Sequence, residues 1–217
     1  GKKDEVIGSL MAHHSTIVPW EILSRVNGFD VTYVDVKNDG TLDYEDLENK
    51  ISRKTKIVCL SHVSNVTGIV NNVKRIVKLA HEHGALTLFD GAQSVPHLPV
   101  NVKELDVDFL AFSGHKMLGP TGIGCLYGKQ EVLKTTEPFE GGGEMIREVS
   151  FDAERRRCTI SWNELPWKFE AGTPNIAGGV GLMAAVRFLE RLGMENVKAH
   201  ECIMTGYAMK RLRECGN

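Results

Sequence analysis

The chain has 217 residues, of which 42% are hydrophobic and 25% are charged. These proportions are ordinary for a globular protein, and the length is sufficient for one sizeable domain or two small ones. With a formal net charge of -2, the chain offers no electrostatic basis for binding nucleic acid or an anionic membrane. No apolar run reaches the length of a membrane span. We therefore expect neither nucleic acid nor a membrane as a partner.

The cysteines are scattered along the chain, and none has CxxC spacing. This pattern indicates neither a metal site nor a disulfide framework, so we expect no metal and a reducing compartment, the cytoplasm. We expect the thiols to be small buried hydrophobic groups and assign none of them a catalytic role. They are Cys59, Cys125, Cys158, Cys202 and Cys215.

Strand-like and helix-like segments alternate through the first part of the chain. Residues 5–12 (EVIGSLMA) and 31–36 (VTYVDV) predict buried strands. Between them, the segment from Pro19 to Val26 predicts a helix, with proline near its start and Gly28 after its end. Further strands are predicted at 56–64, 85–90, 108–112 and 123–128, and further helices at 42–51 and 73–83.

The last part of the chain is less regular. Residues 151–167 (FDAERRRCTISWNELPW) predict a polar excursion without a regular element, and two amphipathic helices follow at about 177–192 and 194–213. Strands that alternate with crossover helices predict an α/β three-layer sandwich with a mostly parallel sheet. In such sheets ligands bind beyond the carboxyl ends of the strands, so the residues after each strand are the candidates for function.

Polar side chains follow four of the predicted strands. Each of them alone would indicate a helix cap, a turn or a solvated side chain. Together they supply an amine, a carboxylate, hydroxyls and imidazoles at one edge of the sheet. They are His13 and His14 after the first strand, His62, Ser64 and Asn65 after the third, Asp90 and Gln93 after the fourth, and Ser113, His115 and Lys116 after the fifth.

This set of groups is what pyridoxal phosphate requires. A lysine amine forms a Schiff base, a carboxylate keeps the pyridine nitrogen protonated so that the ring accepts electrons, and the phosphate needs several donors. The alternatives fit poorly. The chain has no Walker-type loop and no His-Glu-x-x-His helix, and Gly122, Gly124 and Gly128 miss the dinucleotide-binding spacing. We therefore predict pyridoxal 5'-phosphate as the cofactor.

Several motifs resemble one enzyme family. FDGAQSV and SGHK resemble the class V aminotransferases, a group of fold-type I pyridoxal phosphate enzymes. AHHSTIVPW, SHVSNVTG, FSGHKMLGPTGIG, EGGGEMI and WKFEAGTPN resemble its NifS-like cysteine desulfurase branch, which is related to selenocysteine lyase and the Suf sulfur-assembly system. The similarity runs from about His13 to the last helix. Ala12 departs from the pattern, because relatives often have Glu there.

The resemblance implies a role for each matching residue. Lys116 is expected to form the imine with the cofactor and later to carry the proton at the substrate Cα. Asp90 is expected to face the pyridinium nitrogen, and Gln93 the phenolic oxygen. His13 is expected to stack on the ring, and Asn65 to orient the phenolic oxygen and the substrate.

The resemblance also implies how the phosphate is held. Ser113 and His115 are expected to donate to it. Because the sites of this family lie at the interface of a homodimer, Thr173 is expected to reach the phosphate of the neighbouring subunit, and the glycines 141–143 to line the same interface.

The implied reaction removes sulfur from L-cysteine, leaving alanine and an enzyme persulfide that supplies iron–sulfur cluster assembly, with a sulfur-acceptor protein as a further partner. The nucleophilic cysteine and the substrate-binding arginine of the family are expected beyond the AGTPN motif and beyond Asn217. We therefore expect residues 1–217 to be the large-domain core, without the flanking N-terminal segment and the small C-terminal domain. Such a fragment is not expected to turn over cysteine alone.

Two other readings stay open. One keeps the cofactor and changes the reaction, to that of another class V aminotransferase or of a selenocysteine lyase. SGHK and FDGAQ alone do not separate these enzymes. The other is a non-catalytic truncated scaffold that has the sheet but no chemistry.

Overall fold

The computed structural model describes residues 3–216. The strands of its central sheet are β1 (Glu5–Ser9), β2 (Asp30–Val34), β3 (Thr55–Ser61), β4 (Leu86–Asp90), β5 (Phe109–Ser113) and β6 (Gly124–Gly128). They lie in the order β2-β1-β3-β4-β5-β6. Strands β1 to β5 are parallel, and β6 pairs antiparallel with β5. The predicted mostly parallel sheet is confirmed.

The helices of the described residues are α1 (His14–Asn27), α2 (Tyr44–Lys50), α3 (Val73–Glu82), α4 (Val102–Leu105), α5 (Gln130–Thr135), α6 (Ile176–Leu192) and α7 (Met194–Glu214). None of them is long and apolar enough to cross a bilayer. The two long helices that end the chain agree with the prediction to within a residue at each end.

The two faces of the sheet differ in what covers them. Ile76 and Val77 of α3 belong to one buried cluster with Leu60 of β3 and Phe89 of β4. Successive strand side chains point to opposite faces, so the residues just before these, such as Leu88, point the other way, towards α1. Helices therefore pack on both faces, which confirms the predicted α/β sandwich.

Helix α1 begins five residues earlier than predicted. Its N-cap is His13, whose side chain accepts a hydrogen bond from the backbone N–H of Ser15. Thr16 also donates to the His13 carbonyl, so the first turn is satisfied before Pro19 is reached. Pro19 therefore lies inside the helix. The predicted end is confirmed, because Gly28 adopts a left-handed φ of 74° at the C-cap.

The segment predicted to be irregular forms a hairpin, so that prediction is wrong. Strands β7 (Ile146–Asp152) and β8 (Arg157–Trp162) pair antiparallel. Val149 opposes Ile160 on one face, while Ser150 opposes Thr159 on the other. The alternation typical of a strand is present, but the many charged side chains obscure it in the sequence.

The cysteine prediction is wrong for four of the five residues. Cys59 is buried in β3, and the other cysteines are exposed. Cys125 lies on the edge strand β6, Cys158 lies in the hairpin, Cys202 lies in α7, and Cys215 directly follows α7. In each of these elements one side faces solvent, and the cysteine lies on that side instead of in the core. All five thiols are free.

A buried carboxylate anchors the amino-terminal end of the sheet. The side chain of Asp108 is 5% exposed. It accepts hydrogen bonds from the backbone N–H of Thr87 (2.8 Å) and from its hydroxyl (3.0 Å). His81 Nε2 lies 2.8 Å away and Lys129 Nζ 3.0 Å away. Burial alone would raise the pKa of Asp108, but the bonds from His81, Thr87 and Lys129 outweigh burial and hold this pKa below its usual value.

We expect Asp108→Asn to lower the free energy of unfolding at neutral pH by about 3 kcal/mol, because Lys129 loses a buried counter-charge and the amide cannot accept all the hydrogen bonds that the carboxylate accepts. Since the folded pKa lies below the unfolded value of about 3.9, Asp108 stabilises the fold above that pH. This contribution disappears as the pH falls through the folded pKa. The variant should therefore lose less stability than the wild type on acidification, which urea unfolding at a series of pH values measures.

Asp106→Asn is the matched control. Asp106 lies 2.6 Å from the same Lys129, but its side chain is 63% exposed. The substitution should therefore cost under ~1 kcal/mol. Asp106 has a φ of 56°, a conformation that asparagine tolerates. Equal losses in the two variants would contradict the special role of the buried carboxylate.

Candidate functional site

A cleft of about 650 Å³ opens at the carboxyl ends of the central strands. Its floor consists of alternate residues of three neighbouring strands, including Cys59 of β3, Leu88 and Asp90 of β4, and Ala111 of β5. Leu88 pairs with Cys59, and Asp90 pairs with Ala111, so all of them point to the same face of the sheet. The sheet register therefore places a carboxylate at the end of an otherwise uncharged floor.

Helix α1 forms the opposite wall, and His13 stands at its start. His13 Nδ1 lies 3.2 Å from the backbone nitrogen of Ser15 and 2.8 Å from its hydroxyl oxygen. A backbone N–H can only donate, so Nδ1 is the acceptor, and the proton of the neutral imidazole is on Nε2. The capping bond thus fixes both the tautomer and the direction of a ring that borders the cleft.

Lys116 enters the cleft from a tight turn after β5. Gly114–Met117 form a single 3-10 turn. Gly114 has no room for a side chain, because a Cβ there would lie 3.0 Å from both Cγ2 and the carbonyl oxygen of Ile123. This close approach brings Ser113, His115 and Lys116 together around one cavity. Their side chains form no hydrogen bond or ion pair with the rest of residues 3–216.

The carboxylate of Asp90 can accept a further hydrogen bond. Its Oδ1 accepts a hydrogen bond of 2.9 Å from the backbone N–H of Ala92, which holds the side chain in place. Within the described part of the chain, Oδ2 has no donor. A carboxylate that is oriented by one bond and free at its other oxygen is suited to accept a hydrogen bond from a ligand.

The sequence analysis did not identify Cys59 and Trp20 as residues of the cleft. Cys59 lies on the floor, and Trp20 of α1 faces it. Burial raises the pKa of the Cys59 thiol to about 11; the charge of Asp90 acts in the same direction, and a hydrogen bond from Trp20 acts against it. The thiol is therefore protonated and neutral at physiological pH. Its position two residues before the end of β3 was a usable signal, since alternate residues of adjacent strands share a face.

The structure brings together five of the predicted site residues and leaves three elsewhere. Two of the three line a neighbouring cleft of about 770 Å³ beside α7. The third is exposed in the loop before α6. The roles of all eight stay predictions. The residues of the first cleft are His13, Asp90, Ser113, His115 and Lys116; the others are Asn65, Gln93 and Thr173.

Residues 1–217 match the protein family described as Aminotransferase class-V. A probable cysteine desulfurase from Halalkalibacterium halodurans is 52% identical to this chain over 215 residues, which are 99% of this chain and 51% of that protein. The chain spans about half the length of the curated relatives it matches.

Solved structures agree with this match. The apo structure of a cysteine desulfurase from Thermococcus onnurineus NA1 has a TM-score of 0.89 and 40% identity, covering 97% of this chain and 51% of that one. A C-DES mutant with glycine covalently linked to its PLP cofactor has a TM-score of 0.83 and 28% identity, covering 95% of this chain and 55% of that one.

We expect an alkylating reagent to modify the exposed cysteines of the native protein and to leave Cys59 intact. The thiolate is the reactive species, and a pKa of about 11 makes it at least about a hundredfold rarer than in an ordinary thiol. Mass spectrometry of the digested protein identifies the modified positions. Unfolding should make Cys59 as reactive as the others.

Cys59→Ser is the control, since it should leave the native labelling pattern unchanged. Native labelling of Cys59 at the rate of the exposed Cys202 would contradict the assignment of a neutral, inaccessible thiol on the cleft floor.

Proposed function

Because this chain belongs to the class-V aminotransferase family, we propose that it binds pyridoxal 5'-phosphate in the cleft between α1 and the sheet and serves as the cofactor-binding part of a cysteine desulfurase. One observation carries the proposal. The amine of Lys116 and the carboxylate of Asp90 line the same cleft. A pyridine ring has its aldehyde and its ring nitrogen on different sides, so a single ring can engage both groups. The cysteine desulfurases at 52% and 40% identity support the choice of reaction.

The chemistry of the other side chains fits the cofactor. Ser113 and His115 border the cleft, and their side chains have no hydrogen-bond partner in the described chain. Free donors beside a cavity suit a phosphate group, which accepts several hydrogen bonds. The uncharged floor with Cys59 and Leu88 suits the face of an aromatic ring. The residues present therefore match the aldehyde, the ring nitrogen, the ring face and the phosphate.

When bound, pyridoxal phosphate supplies a conjugated ring that accepts the electron pair left at the substrate Cα. Asp90 would accept the N–H of the ring and hold the positive charge at that end of the cleft. Lys116 would bind the aldehyde group and, as a free amine, would serve as the general base for the proton at the substrate Cα. His13 would border the ring and present its Nε2–H to the cleft.

The proposed substrate is L-cysteine, and the proposed products are alanine and a protein persulfide that feeds iron–sulfur cluster assembly through a sulfur-acceptor protein. The nucleophile is a cysteine other than Cys59. A thiol with a pKa of about 11 on the cleft floor cannot supply the thiolate that attacks the substrate sulfur.

We also propose that the protein works as a homodimer in the cytoplasm. Thr173 and Gly141–Gly143 are exposed, as residues that reach a neighbouring subunit would be in a single chain. The free state of all five thiols supports a reducing compartment. Residues 1–217 are proposed to form one cofactor-binding domain, since one sheet carries both Lys116 and Asp90.

We expect the intact gene product to take up pyridoxal phosphate with a visible absorbance band, and Lys116→Ala to abolish that band because no other amine lines the cleft within the described residues. Absorbance spectra after dialysis against the cofactor measure both. Lys103→Ala is the matched control, since Lys103 is exposed and remote from the cleft. A colourless wild-type protein that ignores added cofactor would refute the proposal and favour a scaffold.

The same preparation distinguishes the reactions. With L-cysteine, the intact gene product should release sulfur as sulfide under reducing conditions and form alanine in equal amount. Asp90→Ala should lower this rate by a factor of at least about a hundred, because the ring loses its charged partner. Transfer of the amino group to a keto acid without release of sulfide would instead identify an aminotransferase.

A further inference from the structure

Helix α1 places His13 at the cleft, but it is less deeply buried than the helix on the other face of the sheet, α3. None of the α1 residues is buried. Val18 and Ile22 are 48% and 56% exposed, respectively, on its outer side. The apolar side chains on its inner side, Ile17, Trp20 and Leu23, are only half-buried, so polar contacts can contribute to its angle to the sheet.

One hydrogen bond joins the middle of α1 to the sheet. The hydroxyl of Tyr33 in β2 donates to Glu21 Oε1 at 2.7 Å. Tyr33 lies directly beside Gly8 of β1, and a Cβ at Gly8 would lie 2.9 Å from the Tyr33 ring. The absence of a side chain at Gly8 thus allows the Tyr33 ring to lie across β1.

The Tyr33 hydroxyl is a permanent donor. Burial, together with the hydrogen bond and the charge of Glu21, raises the pKa of Tyr33 to about 12. The hydroxyl therefore keeps its proton throughout the physiological range. One residue away, Trp20 lines the cleft together with Cys59 of β3. The Tyr33–Glu21 bond therefore lies next to the position at which α1 faces the cleft floor.

The contact at Glu21 can affect the position of His13 at the start of the helix. Glu21 follows His13 by eight positions, or roughly 12 Å of helix. Pro19 lies between the two and leaves one hydrogen bond of the helix unmade, but the turns on both sides of it belong to one continuous helix, so a change of angle at Glu21 moves the imidazole at the start. We propose that Tyr33 and Glu21 are positioning residues whose hydrogen bond sets α1 so that His13 covers the cofactor in the cleft. The inference rests on the proposed function and deepens it.

The test compares Tyr33→Phe with the wild type in the intact gene product, because this change removes the hydroxyl and keeps the ring beside Gly8. Amide hydrogen exchange in the first two turns of α1, measured without cofactor, should become about tenfold faster, as expected for the loss of a bond to a charged acceptor. The dissociation constant for pyridoxal phosphate should rise several-fold. Glu21→Ala should have the same effects, and Glu21→Gln, which keeps the acceptor oxygen, should restore most of the affinity.

The same substitution in a protein that lacks His13 distinguishes a positioning role of Tyr33 from a general loss of stability. In a His13→Ala protein, Tyr33→Phe should leave the cofactor affinity unchanged, since a residue that acts through His13 has nothing left to position. Thr32→Val is the matched control. Thr32 precedes Tyr33 in β2 and donates to Glu5 at 2.6 Å, away from α1. It should change neither the exchange in α1 nor the affinity.

The outcomes distinguish the two proposals. Equal loss of affinity with and without His13, or unchanged exchange in α1, would overturn the positioning role while leaving the cofactor site intact. A wild-type protein that binds no pyridoxal phosphate would overturn the proposed function, and the positioning of His13 over the cofactor would fail with it.

Discussion

The register of the parallel strands is the constraint on which the rest of the structure depends. Leu60 and Phe89 face α3 and the apolar core, while Cys59, Leu88 and Asp90 face the cleft. A slip of one residue in any strand would exchange these sets and place Asp90 against the core, where an unpaired charge is costly. Apolar burial on one face therefore fixes the position of the polar groups on the other. Packing of the α3 side of the sheet thus determines which residues face the candidate site on the other side.

Two carboxylates at opposite ends of adjacent strands show how their donors decide their roles. Asp108 has Thr87, His81 and Lys129 around it, and its lone pairs are taken. Asp90 has one backbone donor and a free oxygen in the described chain. The first can only stabilise the fold, because any ligand would have to displace existing bonds. The second has a place for a ligand's hydrogen.

The chemistry of the cleft could be predicted from the sequence because it lies at strand ends. Asp90 and Lys116 each follow an apolar run, and parallel strands bring such ends together. Trp20 was missed because its contact with Cys59 depends on the angle between α1 and the sheet, which no local pattern encodes. The hairpin of β7 and β8 was missed for another reason: its alternation is carried by few apolar residues, and its charged side chains are typical of a loop.

Asn65, Gln93 and Thr173 show a further limit of sequence reasoning. Their motifs are as specific as that of Lys116, yet the first two line the neighbouring cleft and the third is exposed. A motif identifies a residue's chemistry, whereas its place relative to a ligand depends on the surrounding surfaces, including any supplied by another subunit. One folded chain therefore constrains the residues on the sheet more tightly than those on the loops.

His13 combines a structural and a chemical task, and each constrains the other. Serine, threonine, aspartate and asparagine are the preferred N-caps, and any of them could accept the bond from Ser15. None of them has an aromatic face. Because Nδ1 of the imidazole accepts the capping hydrogen bond, only the ring face and the Nε2–H remain to contact a ligand. The helix that begins at His13 sets the orientation of the ring. The position of the imidazole in the cleft therefore depends on α1, a helix with no buried residue, and the Tyr33–Glu21 hydrogen bond is the contact through which we propose that β2 sets this helix.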